Sequence, residues 1–185
     1  MSIAFEAFPK IARLKREAVL TEKLDGTNSA IVINDEGEVA CQSRNKIITP
    51  QQDNAGFANW VEKHKAELVQ QLGVGIHFGE WWGSGIGRGY DLKEKRFSLF
   101  STHIWHTESE DCRCIEAPLC YVVPVLATLT KFSTEEVDKV MAKLKETGSI
   151  AVPGYMNPEG LVVFHSQNQA LFKVTFEYDD TGKGN

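Results

Sequence analysis

Apolar residues recur with a helical period in only two stretches of this chain, and that scarcity sets the fold class. Phe57, Trp60, Val61, Leu68 and Leu72 keep to one side of a helical repeat and Gly73 follows as a stop, so the spacing predicts one helix over Phe57–Leu72. Ser133 opens a second helix, with Glu136 placed as a capping box and Val137, Val140, Met141 and Leu144 on one face before Gly148. The other apolar and β-branched residues fall in short runs with turn residues at most of their borders: Ala18–Glu22, Ser29–Ile33, Val39–Arg44, Gly75–Trp81, Phe97–Ile104, Cys120–Val125, Leu161–His165 and Leu171–Phe176. Asn34-Asp35-Glu36-Gly37 supplies turn chemistry for a hairpin between the second and third runs. This pattern is α+β, with mostly antiparallel sheets and few helices. Without a repeat, a low-complexity tract or a Pro/Ser-rich linker, residues 1–185 read as a single domain.

Charge narrows the function classes. Twenty Lys and Arg against 25 Asp and Glu give a net charge of −5, which excludes a protein that holds nucleic acid by bulk charge and makes any basic groove local. One such stretch, Lys10, Arg13, Lys15 and Arg16, suits either a solvated helix face or contact with a polynucleotide backbone. No apolar run approaches the roughly 20 residues that span a bilayer, and the opening MSIAFEAFPKIARLKRE is interrupted by charge too early for a signal peptide. A soluble, cytoplasmic protein with no membrane partner is expected. Four Cys are ordinary for a reducing compartment. His103, His106, Cys112, Cys114 and Cys120 form a loose cluster, but their spacings are not those of paired zinc knuckles, so satisfied core or loop residues are the simpler reading.

The segment Thr21-Glu22-Lys23-Leu24-Asp25-Gly26-Thr27-Asn28 is the most informative. A Lys at a strand end, followed by a Gly turn dense in hydrogen-bonding side chains, is held firmly. It becomes a nucleophile once burial or neighbouring cations bring it down from about 10.4. Taken alone, Lys-x-Asp-Gly also fits a surface Lys beside a turn. Further polar groups then follow at strand ends: Ser43-Arg44-Asn45-Lys46, Phe78-Gly79-Glu80-Trp81-Trp82-Gly83, Pro158-Glu159-Gly160-Leu161-Val162-Val163 and Leu171-Phe172-Lys173-Val174.

In this order the segments resemble the signature of covalent nucleotidyltransferases, the superfamily of polynucleotide ligases and mRNA capping enzymes, and most of all the RNA ligase 2 type. The resemblance spans about residues 20 to 176. It implies a nucleotidyltransferase (ATP-grasp-like ligase) domain that uses ATP and Mg²⁺ or Mn²⁺. It makes Lys23 the catalytic nucleophile that attacks the α-phosphorus of ATP and carries AMP as a phosphoramidate. It implies nucleotide-binding roles for Glu22, Asn28, Arg44, Glu80, Phe100 and Lys173: Asn28 organises the phosphate region, Arg44 the ribose or phosphate, Glu80 the ribose hydroxyls, Phe100 stacks on adenine and Lys173 meets the α-phosphate. Glu159, with Glu80, becomes a metal ligand. The physical reading agrees, since cations must offset phosphate charge and hard carboxylate oxygens suit Mg²⁺ or Mn²⁺ over zinc.

The implied activity is an RNA ligase that transfers AMP from Lys23 to a 5′-phosphate end and seals it to a 3′-hydroxyl. Alternatives are a DNA ligase, a capping-type guanylyltransferase, or a non-sealing nucleotide- or nucleic-acid-binding protein of the same fold. Three departures bear on this choice. Asp25 stands where the RNA ligase 2 type often has His. Val174 and Thr175 follow Lys173 where a second Lys is common. Only 10 residues follow Thr175, too few for a C-terminal OB-fold or helical appendage, so a partner protein is expected to supply that surface. Trp81 and Trp82 are expected in the core. The run Gly83-Ser84-Gly85-Ile86-Gly87-Arg88-Gly89 reads as a mobile loop at the rim of the site, with Arg88 near a phosphate.

Overall fold

The computed structural model describes residues 4–105 and 119–177. Ten strands run β1 (Ala18–Lys23), β2 (Gly26–Ile33), β3 (Val39–Ser43), β4 (Ile47–Ile48), β5 (Gly75–Gly83), β6 (Lys95–Leu99), β7 (Cys120–Val122), β8 (Val125–Leu129), β9 (Gly160–His165) and β10 (Ala170–Thr175). Among the described residues three α-helices, α1 (Phe57–Lys63), α2 (Lys65–Leu72) and α3 (Thr134–Thr147), join these strands in an α+β arrangement. The strands form a four-stranded sheet, β10-β9-β1-β8, and a six-stranded sheet, β4-β3-β2-β5-β6-β7. All pairings are antiparallel except β6 with β7.

Strand alternation assigns each sheet two faces. On the larger sheet, Ile31, Ile33, Trp81, Phe97 and Leu99 pack against Phe57, Ala58, Val61, Leu68 and Leu72 of the two short helices. Burial of each large side chain here contributes roughly 1.5–3 kcal/mol. On the smaller sheet, Ala18, Leu20, Leu161 and Val163 pack on Val137 of α3. A third cluster of Leu24, Trp82, Tyr90 and Val123, with Tyr155 against it, lies where the chain passes between the sheets. Both Trp81 and Trp82 are buried, as expected. The indoles reach partners at Ala55 O (3.0 Å) and Ser98 Oγ (2.9 Å) respectively.

The hairpin forms as expected, with Gly37 at φ 75 and the Asn34 side chain accepting the Glu38 N–H at 2.8 Å. Ser133 caps α3 through the Glu136 N–H, and Gly148 ends it. Three expected elements are corrected. The run Phe97–Ile104 is strand only as far as Leu99, where β6 ends. The single helix over Phe57–Leu72 is two, because His64 adopts φ −109, ψ 15 between them; both halves keep their apolar residues toward the same sheet, so the period alone does not reveal the break. The run Cys120–Val125 is likewise not one strand. Pro124 lacks the N–H that a ladder needs, and there the chain leaves the larger sheet and enters the smaller one as β8.

Candidate active site

Lys23 ends β1 in the smaller sheet, Leu24 and Asp25 cross over, and Gly26 begins β2 in the larger sheet. The Lys-x-Asp-Gly segment is therefore the junction of the two sheets, and this puts its lysine in the cleft between them. Gly26 is required at the crossing, since a Cβ there would lie 2.5 Å from Trp81 O. On one side of Lys23 stands Gly160, directly opposite in the β1–β9 ladder. Glu159, just before β9, brings its carboxylate to 2.6 Å from Lys23 Nζ, and both side chains are about one-fifth exposed, at 24% and 20%.

From the larger sheet, Asn28 and Glu80 are cross-strand partners, and Asn28 Nδ2 donates to Glu80 Oε2 at 3.0 Å. Arg44 donates through Nε to Asn28 Oδ1 at 3.1 Å, and its second guanidinium nitrogen bonds the same oxygen. An Arg44–Asn28–Glu80 chain thus faces the Lys23–Glu159 pair. Burial pushes the Glu80 carboxyl up to about 7; Lys23 and Arg44 pull it down, while Glu159 and Asp25 push it further up. Those influences show that the five charged groups share one electrostatic neighbourhood.

Phe100 follows β6, is 40% exposed, and donates its backbone N–H to Phe78 O. Two positions beyond Ser98, the partner of Glu80, it takes the same side of the sheet as Glu80. Lys173 pairs with Val162, which pairs with Thr21, so it takes the Lys23 side of the smaller sheet and stands exposed. Lys23, Asn28, Arg44, Glu80 and Glu159 thus gather in one cleft, and Phe100 and Lys173 stand on the same sides of their sheets as Glu80 and Lys23.

Glu22 is different. Its side chain points to the opposite side of β1 from Lys23, and it is 1% exposed. Its carboxylate accepts from Ser149 Oγ (2.6 Å), Ile150 N (2.8 Å) and Ala151 N (2.9 Å). The structure places Glu22 as a clamp that ties the segment after α3 to the nucleophile's strand, on the side away from Lys23.

A second clamp holds the other flank of Lys23. The Asp25 N–H donates to Tyr90 Oη at 2.9 Å, the Arg88 N–H donates to Asp25 Oδ2 at 3.0 Å, and the Arg88 guanidinium lies 3.5 Å from that carboxylate and 3.3 Å from Glu177. Tyr90 is fully buried, edge-on to Trp82 at 4.9 Å and tilted on Tyr155 at 4.7 Å. Burial raises its phenol well above the usual range. The glycine-rich run is thus a turn fastened to Asp25, with Gly87 at φ 51, where a side chain would meet the Asp25 carboxylate. Tyr90 itself sits at φ 54 and Asp91 at φ 56, strained values for residues with side chains. Nothing in the local sequence around Tyr90 announces this role; only its position just after the glycine run hints at it.

The metal expectation can be weighed on the same residues. Glu80 and Glu159 repel one another, and a divalent ion would relieve that repulsion. Among the described residues no three His, Cys, Asp or Glu side chains converge as a complete metal site. The two carboxylates offer hard oxygen donors, the chemistry that suits Mg²⁺ or Mn²⁺. Of the loose His/Cys cluster read as core or loop residues, His106, Cys112 and Cys114 lie outside the described residues. Cys120 is in the core, and burial pushes its thiol up to about 12.

Residues 16–175 match the RNA ligase family model, and the chain belongs to that family. Its fold is that of the nucleotidyltransferase domain of solved Naegleria gruberi RNA ligase variants. One, with AMP and Mn, aligns at TM-score 0.60 and 22% identity over 91% of this chain and 52% of that one. Another, with ATP and Mn, aligns at TM-score 0.59 and 20% identity over 86% of this chain and 49% of that one. The chain thus spans about half the length of these relatives. No curated protein sequence matches it.

Proposed function

We propose that the chain is an ATP-dependent RNA ligase module that forms lysyl-AMP on Lys23. The observation that carries this reading is the Lys23–Glu159 contact at 2.6 Å, set in a cleft whose other wall presents Glu80, Asn28 and Arg44. Lys23 Nζ, having given up a proton to solvent, forms a bond to the α-phosphorus; the bond to the bridging oxygen breaks, pyrophosphate leaves with the electron pair, and the nitrogen sheds a second proton to solvent as the phosphoramidate. Arg44 and Lys173 supply fixed positive charge near the phosphates, and Phe100 offers an aromatic face to the base. Glu80 and Glu159 would hold a divalent cation, which offsets phosphate charge and competes with Lys23 for Glu159. AMP then passes to an RNA 5′-phosphate, a 3′-hydroxyl attacks, and AMP departs.

The test is incubation with α-³²P-labelled ATP or GTP and Mg²⁺ or Mn²⁺, with Lys23→Ala as control. Acid-stable label from ATP, absent in the variant, is expected. Label from GTP alone would make the chain a guanylyltransferase. No label from either nucleotide in folded protein would leave a binding protein.

A further inference from the structure

The segment before β1 is unlike the rest of the chain. Residues 4–16 have neither helix nor strand and are exposed throughout. Within them Lys10, Arg13, Lys15 and Arg16 stand against the single carboxylate Glu6, in a chain whose overall charge is −5. None of the four makes an ion pair among the described residues, nor does Lys131 nearby. Ahead of the cations and beside the first of them, Phe5, Phe8 and Ile11 are 92%, 99% and 95% exposed and recur at every third position.

The base of this arm is fixed. Arg13 N–H donates to Gln167 Oε1 at 2.9 Å, His165 Nε2 lies 2.7 Å from Leu14 O, and the Phe132 N–H donates to Arg16 O at 2.7 Å. There Leu14 and Lys15 face Lys131 and Phe132 across an open groove of about 390 Å³. The groove's one carboxylate, Glu135, is engaged by the Ser133 hydroxyl and feels the charge of Lys15. Two lysines, Lys15 and Lys131, line it beside the apolar Leu14 and Phe132.

We infer that residues 4–16, with Lys15 and Lys131 at the groove, form a docking arm for single-stranded polynucleotide. Unpaired cations on an otherwise acidic protein select a polyanion by charge complementarity. Exposed Phe side chains beside them offer faces to unpaired bases, which a duplex would keep stacked inside. The arm runs directly into β1, whose other end is Lys23. β1 alone, six residues at about 3.3 Å each, sets the end of the arm roughly 20 Å from the nucleophile, so a strand bound at both would lie along the smaller sheet. The inference rests on RNA being the substrate proposed above.

Equilibrium binding of fluorescein-labelled single-stranded RNA tests it, with lysyl-AMP formation measured in parallel on the same preparations. One variant carries Lys10→Ser, Arg13→Ser, Lys15→Ser and Arg16→Ser; a second carries Phe5→Ser, Phe8→Ser and Ile11→Ser. None of these positions is in the core, so both variants are expected to fold and to label with AMP as the parent does. The charge variant is expected to lose affinity about tenfold or more and to flatten the salt slope by about 2–3. The aromatic variant is expected to weaken single strands more than duplex. Unchanged RNA affinity in both variants overturns the arm, as does concentration-dependent self-association that the aromatic variant abolishes. Loss of AMP labelling in the parent itself, with arm-dependent RNA binding intact, would instead remove the ligase reading and leave the arm standing.

Discussion

Lys23 Nζ lies 2.6 Å from Glu159 Oε2 although 136 positions separate the two residues. The β1–β9 ladder makes this contact, because it sets Lys23 opposite Gly160 and so delivers the residue before Gly160 to the amine. A guanidinium would keep the charge of that pair but stays protonated at any working pH. Lys23→Arg is therefore expected to abolish the lysyl-AMP label. Being a partly exposed pair, it should cost less than about 1 kcal/mol of stability. Denaturant titration beside the labelling assay separates the two effects.

Glu80 supplies a pH signature. Its folded carboxyl is raised from 4.5 to about 7, so between those values the folded protein holds a proton that the unfolded chain has lost. Stability from this group is full below about 4.5 and falls as pH rises toward 7, by up to about 1.4 kcal/mol per unit. Glu80→Gln keeps an acceptor for Asn28 and removes the buried charge. At pH 8 without metal it should be more stable than the parent by about 1–3 kcal/mol, with no such advantage at pH 4.5. Denaturation curves at the two pH values decide the matter. Added Mg²⁺ should narrow the gap by binding only the carboxylate form.

The Tyr90 hydroxyl is the acceptor for the Asp25 N–H. Tyr90→Phe leaves that donor unpaired at a cost of about 1–3 kcal/mol and loosens the turn beside the nucleophile. Lysyl-AMP formation should slow about tenfold or more while the KM for ATP shifts little, because placement of Lys23 is what suffers. Single-turnover kinetics distinguish this from a binding defect, which would raise KM instead.

Glu22 is a clamp, and its loss should be structural. Glu22→Ala strands Ser149 Oγ and the N–H groups of Ile150 and Ala151, with an expected cost of about 3–5 kcal/mol. Glu22→Gln, which retains one acceptor oxygen, should recover about half of it. A variant that folds with unchanged stability but fails to bind ATP would return Glu22 to the nucleotide.

At Gly160 a Cβ would lie 2.1 Å from Val174 O, and φ is +150. Gly160→Ala should therefore part β9 from β10 and destabilise by about 2–4 kcal/mol. Hydrogen exchange at Val174 and Thr175 would report the opening; unchanged protection there would show that the sheet absorbs the methyl group.

Much of the site was legible because its residue types are chemically scarce in combination: a lysine before Asp-Gly, and carboxylates and cations in or beside later strands. The α3 cap was legible too, since Ser133 and Glu136 act on each other within one turn. At Glu22 the sequence was less legible. Adjacent residues of a strand face opposite sides, and the sequence does not say which of Glu22 and Lys23 looks into the cleft.

By itself, then, the sequence determined the α+β class, the hairpin, the strong helix and most of the chemical groups of the site, all of which depend on local spacing and side-chain type. Only the tertiary structure decided that Lys-x-Asp-Gly is the crossing between two sheets, that Pro124 divides one apolar run between them, and that Tyr90 and Arg88 grip Asp25. Those outcomes depend on ladder register and on which buried polar groups find partners across 60 or more positions, as in the Asp25–Tyr90 bond. Such pairings are settled by packing the whole chain at once, and no short window of sequence contains them.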